Sequence, residues 1–346
     1  MRTFQQVQNL FRRDSSRGES NVSSGGVDRI VSKWRGIGGP GFWYPLLAWA
    51  ILPVFLVLRA AAPAPAGRGA VTSLSLPPLR IEGQAATAHT QGVEVIGDDF
   101  YVTARREDVH PSRALLLRTN PRRTDWDVWD ITPRGTGGES SVLDHPGGFQ
   151  SDGRRLWIPV AESRRNGRSV VRTYALADLR SGAPVKPERE FPVDDHIGAL
   201  AVSARHKVLL GANWDTETVY VWDLAGHLQR TLRGDALKSR GLGAVAGPEG
   251  RVGLAIQDWK WRGEFLYAGG LFKAPGQNVA QPLSRWWRFS HFLEPEFTVQ
   301  SLALPMILPV EVAHEAMAIT GRAGFFLPED LGTTNRVFRV PLSPRK

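Results

Sequence analysis

A short pattern recurs five times after residue 72, and it constrains the fold more than any other feature of the chain. Each copy opens on a histidine or similar polar residue, runs on as a strand of small apolar residues, turns tightly and returns as a stronger apolar strand. Four copies begin at His89-Thr90-Gln91-Gly92-Val93, His145-Pro146-Gly147-Gly148-Phe149, His196-Ile197-Gly198-Ala199-Leu200 and His314-Glu315-Ala316-Met317-Ala318, and a weaker one begins at Gln257-Asp258-Trp259. Self-similarity with a period of about 50 to 60 residues marks a repeat architecture. Further apolar stretches at 114–117, 126–131, 170–176, 190–193, 218–224 and 228–232 bring each unit to four short strands, the content of one β-propeller blade.

The predicted fold is therefore all-β, a five-bladed β-propeller, with six blades if residues 242–256 form a blade of their own. Residues 73–81 precede the first histidine and would supply the outer strand missing from the last unit. Both chain ends would then meet in one blade, removing exposed sheet edges. A β-sandwich with coincidental histidines is the alternative. Trp129-Asp130 and Trp222-Asp223 resemble the pairs that end strands in propeller repeats.

Composition supports a large core, with 42% hydrophobic residues and 12 Trp. The absence of cysteine excludes disulfides, thiolate metal sites and cysteine nucleophiles. The formal charge of +9 divides along the chain: residues 1–40 hold seven Lys or Arg against three acids, so they carry +4 and leave a mild +5 for the other 306, with no long basic run. Nucleic acid is not an expected partner, because its binding needs a concentrated positive footprint.

Residues 41–58, GFWYPLLAWAILPVFLVL, form an uncharged, mostly apolar stretch of membrane-spanning length. The basic residues before it place the N-terminus in the cytoplasm and the large domain outside. The expected organisation is a flexible basic cytoplasmic tail at 1–40, or leader sequence upstream of the true start codon, followed by a transmembrane or signal segment at 41–60. An Ala/Pro/Gly linker at 61–71 and the propeller at 72–346 complete it. The product is anchored in the cell membrane with its domain outside, or secreted after cleavage in the small-residue run that follows Arg59.

The stretches HPGGFQSDGRRLWIPVAE (145–162), HIGALAV (196–202) and FFLPED (325–330) resemble a family of uncharacterised exported bacterial and fungal propellers, a domain of unknown function. The resemblance implies the fold and no established activity.

In a propeller the first strand of each blade faces the axis, so His89, His145, His196 and His314 should gather at one mouth, with Gln257 in the fifth place. Neutral imidazoles suit a divalent transition metal. In an enzyme these four would be the metal ligands, with Glu162 or Glu329 as base toward a metal-activated water in a hydrolase or lyase. Gln257, Asp258 and Asp195 would bind or orient the ligand. Alternatively, each histidine bonds a carbonyl or carboxylate of the next blade and locks the ring. Trp259, Trp261, Trp286 and Trp287, interleaved with Lys260, Arg262, Arg285 and Arg288, would stack on a sugar or lipid headgroup, or else pack against the blades. No G-x-S-x-G elbow, H-E-x-x-H, P-loop or dinucleotide fingerprint occurs. Two functions remain in view: a small-ligand site at the channel mouth, with or without metal-dependent hydrolase or lyase activity, or a noncatalytic envelope module for glycan or protein.

Overall fold

The computed structural model describes residues 71–133, 142–243, 246–247, 250–251, 253–271, 285–303, 313–321 and 323–342. Five four-stranded antiparallel blades are arranged in chain order. Blade I is His89–Ile96, Asp99–Arg106, Arg113–Thr119 and Asp127–Asp130. Blade II has an interrupted inner strand, Leu143–Pro146 and Gln150–Ser151, followed by Arg155–Glu162, Ser169–Ala175 and Arg189–Val193. Blade III is Ile197–Ser203, Val208–Asn213, Thr218–Asp223 and Leu228–Arg233, and blade IV is Ala255–Arg262, Phe265–Leu271, Arg285–Ser290 and Thr298–Ala303.

Blade V joins the two ends of the chain. Ala316–Thr320, Ala323–Leu327 and Asn335–Pro341 are completed by Thr72–Leu76, which pairs with the last strand from Thr72↔Arg339 to Leu76↔Asn335. The expected closure is present, and the weak fourth copy is a true blade. The six-blade alternative is not seen: residues 246–247 and 250–251 make only a two-residue hairpin.

The core is divided into layers between blades. Tyr101, Leu116 and Trp129 of blade I meet Phe149, Ile158 and Tyr174 of blade II, and Trp157 and Val171 of blade II meet Leu200, Leu209 and Trp222 of blade III. Trp259, Trp261 and Trp287 of blade IV pack on Ala199, Leu210 and Val221, while Trp286 packs on Met317 and Phe326 of blade V. Blade V closes on Val93, Val102 and Leu117 of blade I. A strand inside such a stack is covered on both faces, so its sequence is apolar almost throughout. The tryptophans proposed as a stacking surface are thus packing residues, all four buried.

The axis is filled. Three of the repeated motifs contain a β-bulge near the start of the inner strand, at Thr90/Gly92, Ile197/Ala199 and Ile256/Asp258, and in blade II Gly147-Gly148 interrupts the strand at the same point. Bulges redirect backbone groups. Here Gly148 N–H donates to Gly198 O (2.9 Å) and Leu200 N–H donates to Gly148 O (2.8 Å), joining blade II to blade III. A Cβ on Gly148 would lie 2.5 Å from Gln257 O and 2.7 Å from Asp258 Oδ1, so only glycine allows this approach.

Asp258 and Lys260, both at 0% exposure, plug the centre as an ion pair. Asp258 Oδ2 accepts Val93 N–H of blade I (3.2 Å) and Met317 N–H of blade V (3.1 Å), and Lys260 Nζ donates to Phe149 O of blade II (2.5 Å). Two side chains from blade IV therefore clasp three other blades. Burial pushes the Asp258 pKa up, against the opposing pull of Lys260 and the two N–H donors.

The expected membrane segment at 41–60 lies outside the described residues. Among the described residues no helix is long and apolar enough to cross a membrane.

Candidate functional site

Each inner strand begins at one mouth of the propeller and ends at the other. The histidines occupy the first mouth, and three of them bond the blade that precedes their own. His89 Nδ1 lies 2.6 Å from Asp330 Oδ1 of blade V. His145 Nε2 donates to Gln91 Oε1 of blade I (3.1 Å), leaving Nδ1 to accept from Ser163 Oγ at 3.4 Å. His196 Nδ1 donates to Glu162 O (2.8 Å) and Arg164 O (3.1 Å) of blade II. The rings of His145 and His196 meet edge to face at 5.2 Å, and Trp214 lies 4.6 Å from His196. The arrangement is an interblade lock, directed at the preceding blade where the sequence suggested the next.

Protonation follows these surroundings. Burial depresses the His145 pKa well below its usual 6.5, and the neighbouring His196, His89 and Arg105 add to the effect. Burial also lowers His196, outweighing its two carbonyl partners. His89 behaves oppositely: burial pulls it down, but the bond to Asp330 and the charges of Glu315, Asp330 and Glu107 carry it up to about 9.

Against the expected metal centre, the donor set does not fit. His89 is held by Asp330 and raised to about 9, so a metal there would have to displace a proton. His145 spends Nε2 on Gln91, His196 donates Nδ1–H to two backbone carbonyls and keeps only its Nε2 lone pair, and His314 sits beside Glu315 (3.4 Å). Among the described residues no group of three or more His, Asp or Glu is placed to hold a metal ion.

The carboxylates assigned to catalysis and binding are also engaged. Burial would raise the Glu162 pKa, but Arg164 (2.6 Å) and Arg168 (3.1 Å) outweigh it and hold the group below the usual range, leaving a weak base. Glu329 is paired with Arg336. Asp195 accepts His196 N–H, Asn213 Nδ2–H and the Tyr220 hydroxyl at 2.8 to 2.9 Å. Asp258 is the axial plug, and Gln257 is the extra residue of the bulge, its carbonyl turned toward Gly148.

The opposite mouth holds an open depression of about 280 Å³, formed by the inner-strand ends and hairpin turns of blades II, III and IV. Its lining includes Gln150, Ser151, Ser203, Arg205, Trp261 and Arg262. Gln150 forms a rigid base: its Nε2 donates to Trp261 O (2.7 Å), and its Oε1 accepts Trp261 N–H (2.8 Å) and Val202 N–H (3.1 Å). Arg262 is anchored by donating from Nη2 to the buried Glu94 (2.6 Å) and from Nε to Ile319 O (2.5 Å). The exposed ring of His206 lies 5.0 Å from that of Trp261. Sequence reasoning followed the repeat starts and missed Ser151, Ser203 and Arg205. The signal was a serine six or seven positions after the repeat histidine in consecutive units, just before each turn.

Residues 79–240 match the profile of a family of unknown function, DUF6454. This match agrees with the resemblance to an uncharacterised family noted in the sequence and covers just under half of the chain. It spans blades I to III and includes the stretches at 145–162 and 196–202, with that at 325–330 outside it. No curated protein matches the chain. Among solved structures, a bifunctional GH43-CE protein of Bacteroides eggerthii is similar over 79% of this chain and 35% of its own, at 10% identity and a TM-score of 0.50. The chain thus spans about a third of that protein's length. A GH130-family structure, from work on glycoside hydrolases that target β-1,2 mannosidic linkages in Candida mannan, is similar over 75% of this chain and 87% of its own, at 8% identity and a TM-score of 0.45. At such identities the likeness concerns the fold alone.

Proposed function

We propose that the propeller, carried outside the cell by the apolar segment at residues 41–60, is a noncatalytic module that holds a small polar ligand, such as a short glycan, at the turn-side mouth. One observation carries this reading: the depression there gathers polar groups with unused hydrogen-bonding capacity, whereas on the histidine side three rings each spend a nitrogen on the preceding blade and Glu162 and Glu329 are held by arginines of their own blades. A volume of about 280 Å³ lies just below the roughly 300 to 1,000 Å³ of most ligand pockets, which suits one small molecule. The lining rests on inner strands packed between blades, so the site is preformed. A metal-dependent hydrolase has less support, because its expected ligands are not gathered and both proposed bases are held by arginine.

Calorimetric titration of the full-length chain in detergent with small sugars and sugar acids tests the reading. Binding that disappears in Ala204→Trp, which fills the depression from an exposed lining position, is the expected result. Binding that survives Ala204→Trp but is lost in His145→Asn would transfer the site to the other mouth.

A further inference from the structure

The hydrogen-bond inventory of the turn-side mouth is unbalanced toward donors. Ser151 Oγ accepts the N–H of Gly153 (2.9 Å) and Ser203 Oγ accepts the N–H of His206 (3.2 Å). Each hydroxyl therefore serves its own turn as acceptor, and its hydrogen has no acceptor among the described residues. The two serines are 8% and 3% exposed, so these hydrogens lie beside the depression and not in open solvent. Arg262 uses Nε and Nη2 for its anchors, and its Nη1 has no partner among the described residues. The acidic lining residue, Asp152, is already occupied: Oδ1 accepts the N–H groups of Arg154 and Arg155, and Oδ2 accepts Trp157 Nε1–H.

From this imbalance we infer that the ligand of the turn-side mouth carries a carboxylate, received by the hydroxyls of Ser151 and Ser203 and by the free edge of the Arg262 guanidinium. The inference rests on the reading of that mouth as a binding site and names its ligand class. A carboxylate is an acceptor-only group that takes several donors at once. The charge balance selects a monoanion over a phosphate dianion, since Arg262 is already shared with Glu94, and Arg205 with Glu264. With Asp152 as a third carboxylate, the site supplies directed donors and no surplus positive charge, which weighs against a dianion more than against a monoanion.

The test titrates the full-length chain with D-glucuronate, L-lactate and acetate, and in parallel with D-glucose as a neutral counterpart and inorganic phosphate as a competing anion. The expected result is binding of at least one carboxylate, weakened at least tenfold in Ser151→Ala/Ser203→Ala and abolished in Ala204→Trp, with glucose and phosphate weaker by a similar factor. Equal binding of glucose and glucuronate would overturn the carboxylate assignment while leaving the binding module intact, and preference for phosphate would overturn it in favour of another anion. Heat from none of the five compounds would overturn both. These wild-type comparisons decide the matter even if the double variant fails to fold. If it folds and keeps wild-type affinity, the serine hydroxyls are not the receivers.

Discussion

The two mouths of this propeller are built from opposite ends of the same inner strands, yet they treat polar groups differently. On the histidine side, His89, His145 and His196 each reach back to the preceding blade, and Asp195 and Glu162 are surrounded by partners from their own blade and its neighbours. On the turn side, Gln150 and Glu94 do the joining from below, so the side chains above them are anchored without being used up. A polar residue near an axis therefore indicates neither function nor structure by itself. What separates the two is whether hydrogen-bonding capacity remains after the blades are tied together.

The comparison can be broken most forcefully at the plug between the mouths. Lys260→Met would leave the Asp258 carboxylate buried without its cation, at a cost of about 3 to 5 kcal/mol, whereas Asp258→Asn/Lys260→Met should recover a substantial part of that loss. Thermal or urea unfolding of the three proteins measures this. A single variant as stable as the parent would show that the pair does not hold the axis.

A smaller effect is expected at the histidine lock. His196→Ala removes a buried ring together with its bonds to two carbonyls, and should cost about 2 to 3 kcal/mol while leaving ligand affinity at the other mouth unchanged. Lost affinity at equal fold would mean that the mouths are coupled.

The titration of these same histidines sharpens the contrast further. His145 and His196 have folded pKa values below the 6.5 of an unfolded histidine, so the unfolded chain binds more protons and stability falls as pH drops below about 6.5. His89 is raised to about 9, so its contribution is complete below 6.5 and is lost as pH rises toward 9. These three groups together favour a maximum near 6.5 in melting temperature against pH, and Asp258, raised to about 7, opposes their acid limb by removing stability as pH rises from about 4 to 7. His145→Asn should flatten only the acid limb and His89→Asn only the alkaline limb.

Much of this architecture was legible in the sequence because a repeated blade displays its period openly. The blade starts, the tight turns and the return of residues near 73 to complete the last blade could all be read from apolar stretches and glycines. The pairs Trp129-Asp130 and Trp222-Asp223 do end strands, and Asp130 and Asp223 accept the N–H groups of Thr132 and Ala225 in the turns that follow. The recurring histidine was equally visible, but its partner was not: Asp330 is 241 positions from His89, and a linear pattern does not encode which lone pair is already taken. Lys260 was misread for a different reason. It lies between two tryptophans in a strand covered on both faces, where alternation no longer separates inside from outside, so a fully buried lysine has the same sequence context as a surface one.

The closing strand also sets how the ring responds to force. Because Thr72 pairs with Arg339 and Leu76 with Asn335, the chain enters and leaves the closing pair of strands at the same end. Tension applied through the two flanking segments pulls along the inter-strand hydrogen bonds and loads them one after another, as a zipper opens, where a shear geometry would load them together. Rupture should start at the Thr72↔Arg339 pairing and strip the outermost strand from blade V, while blades I to IV keep all of theirs.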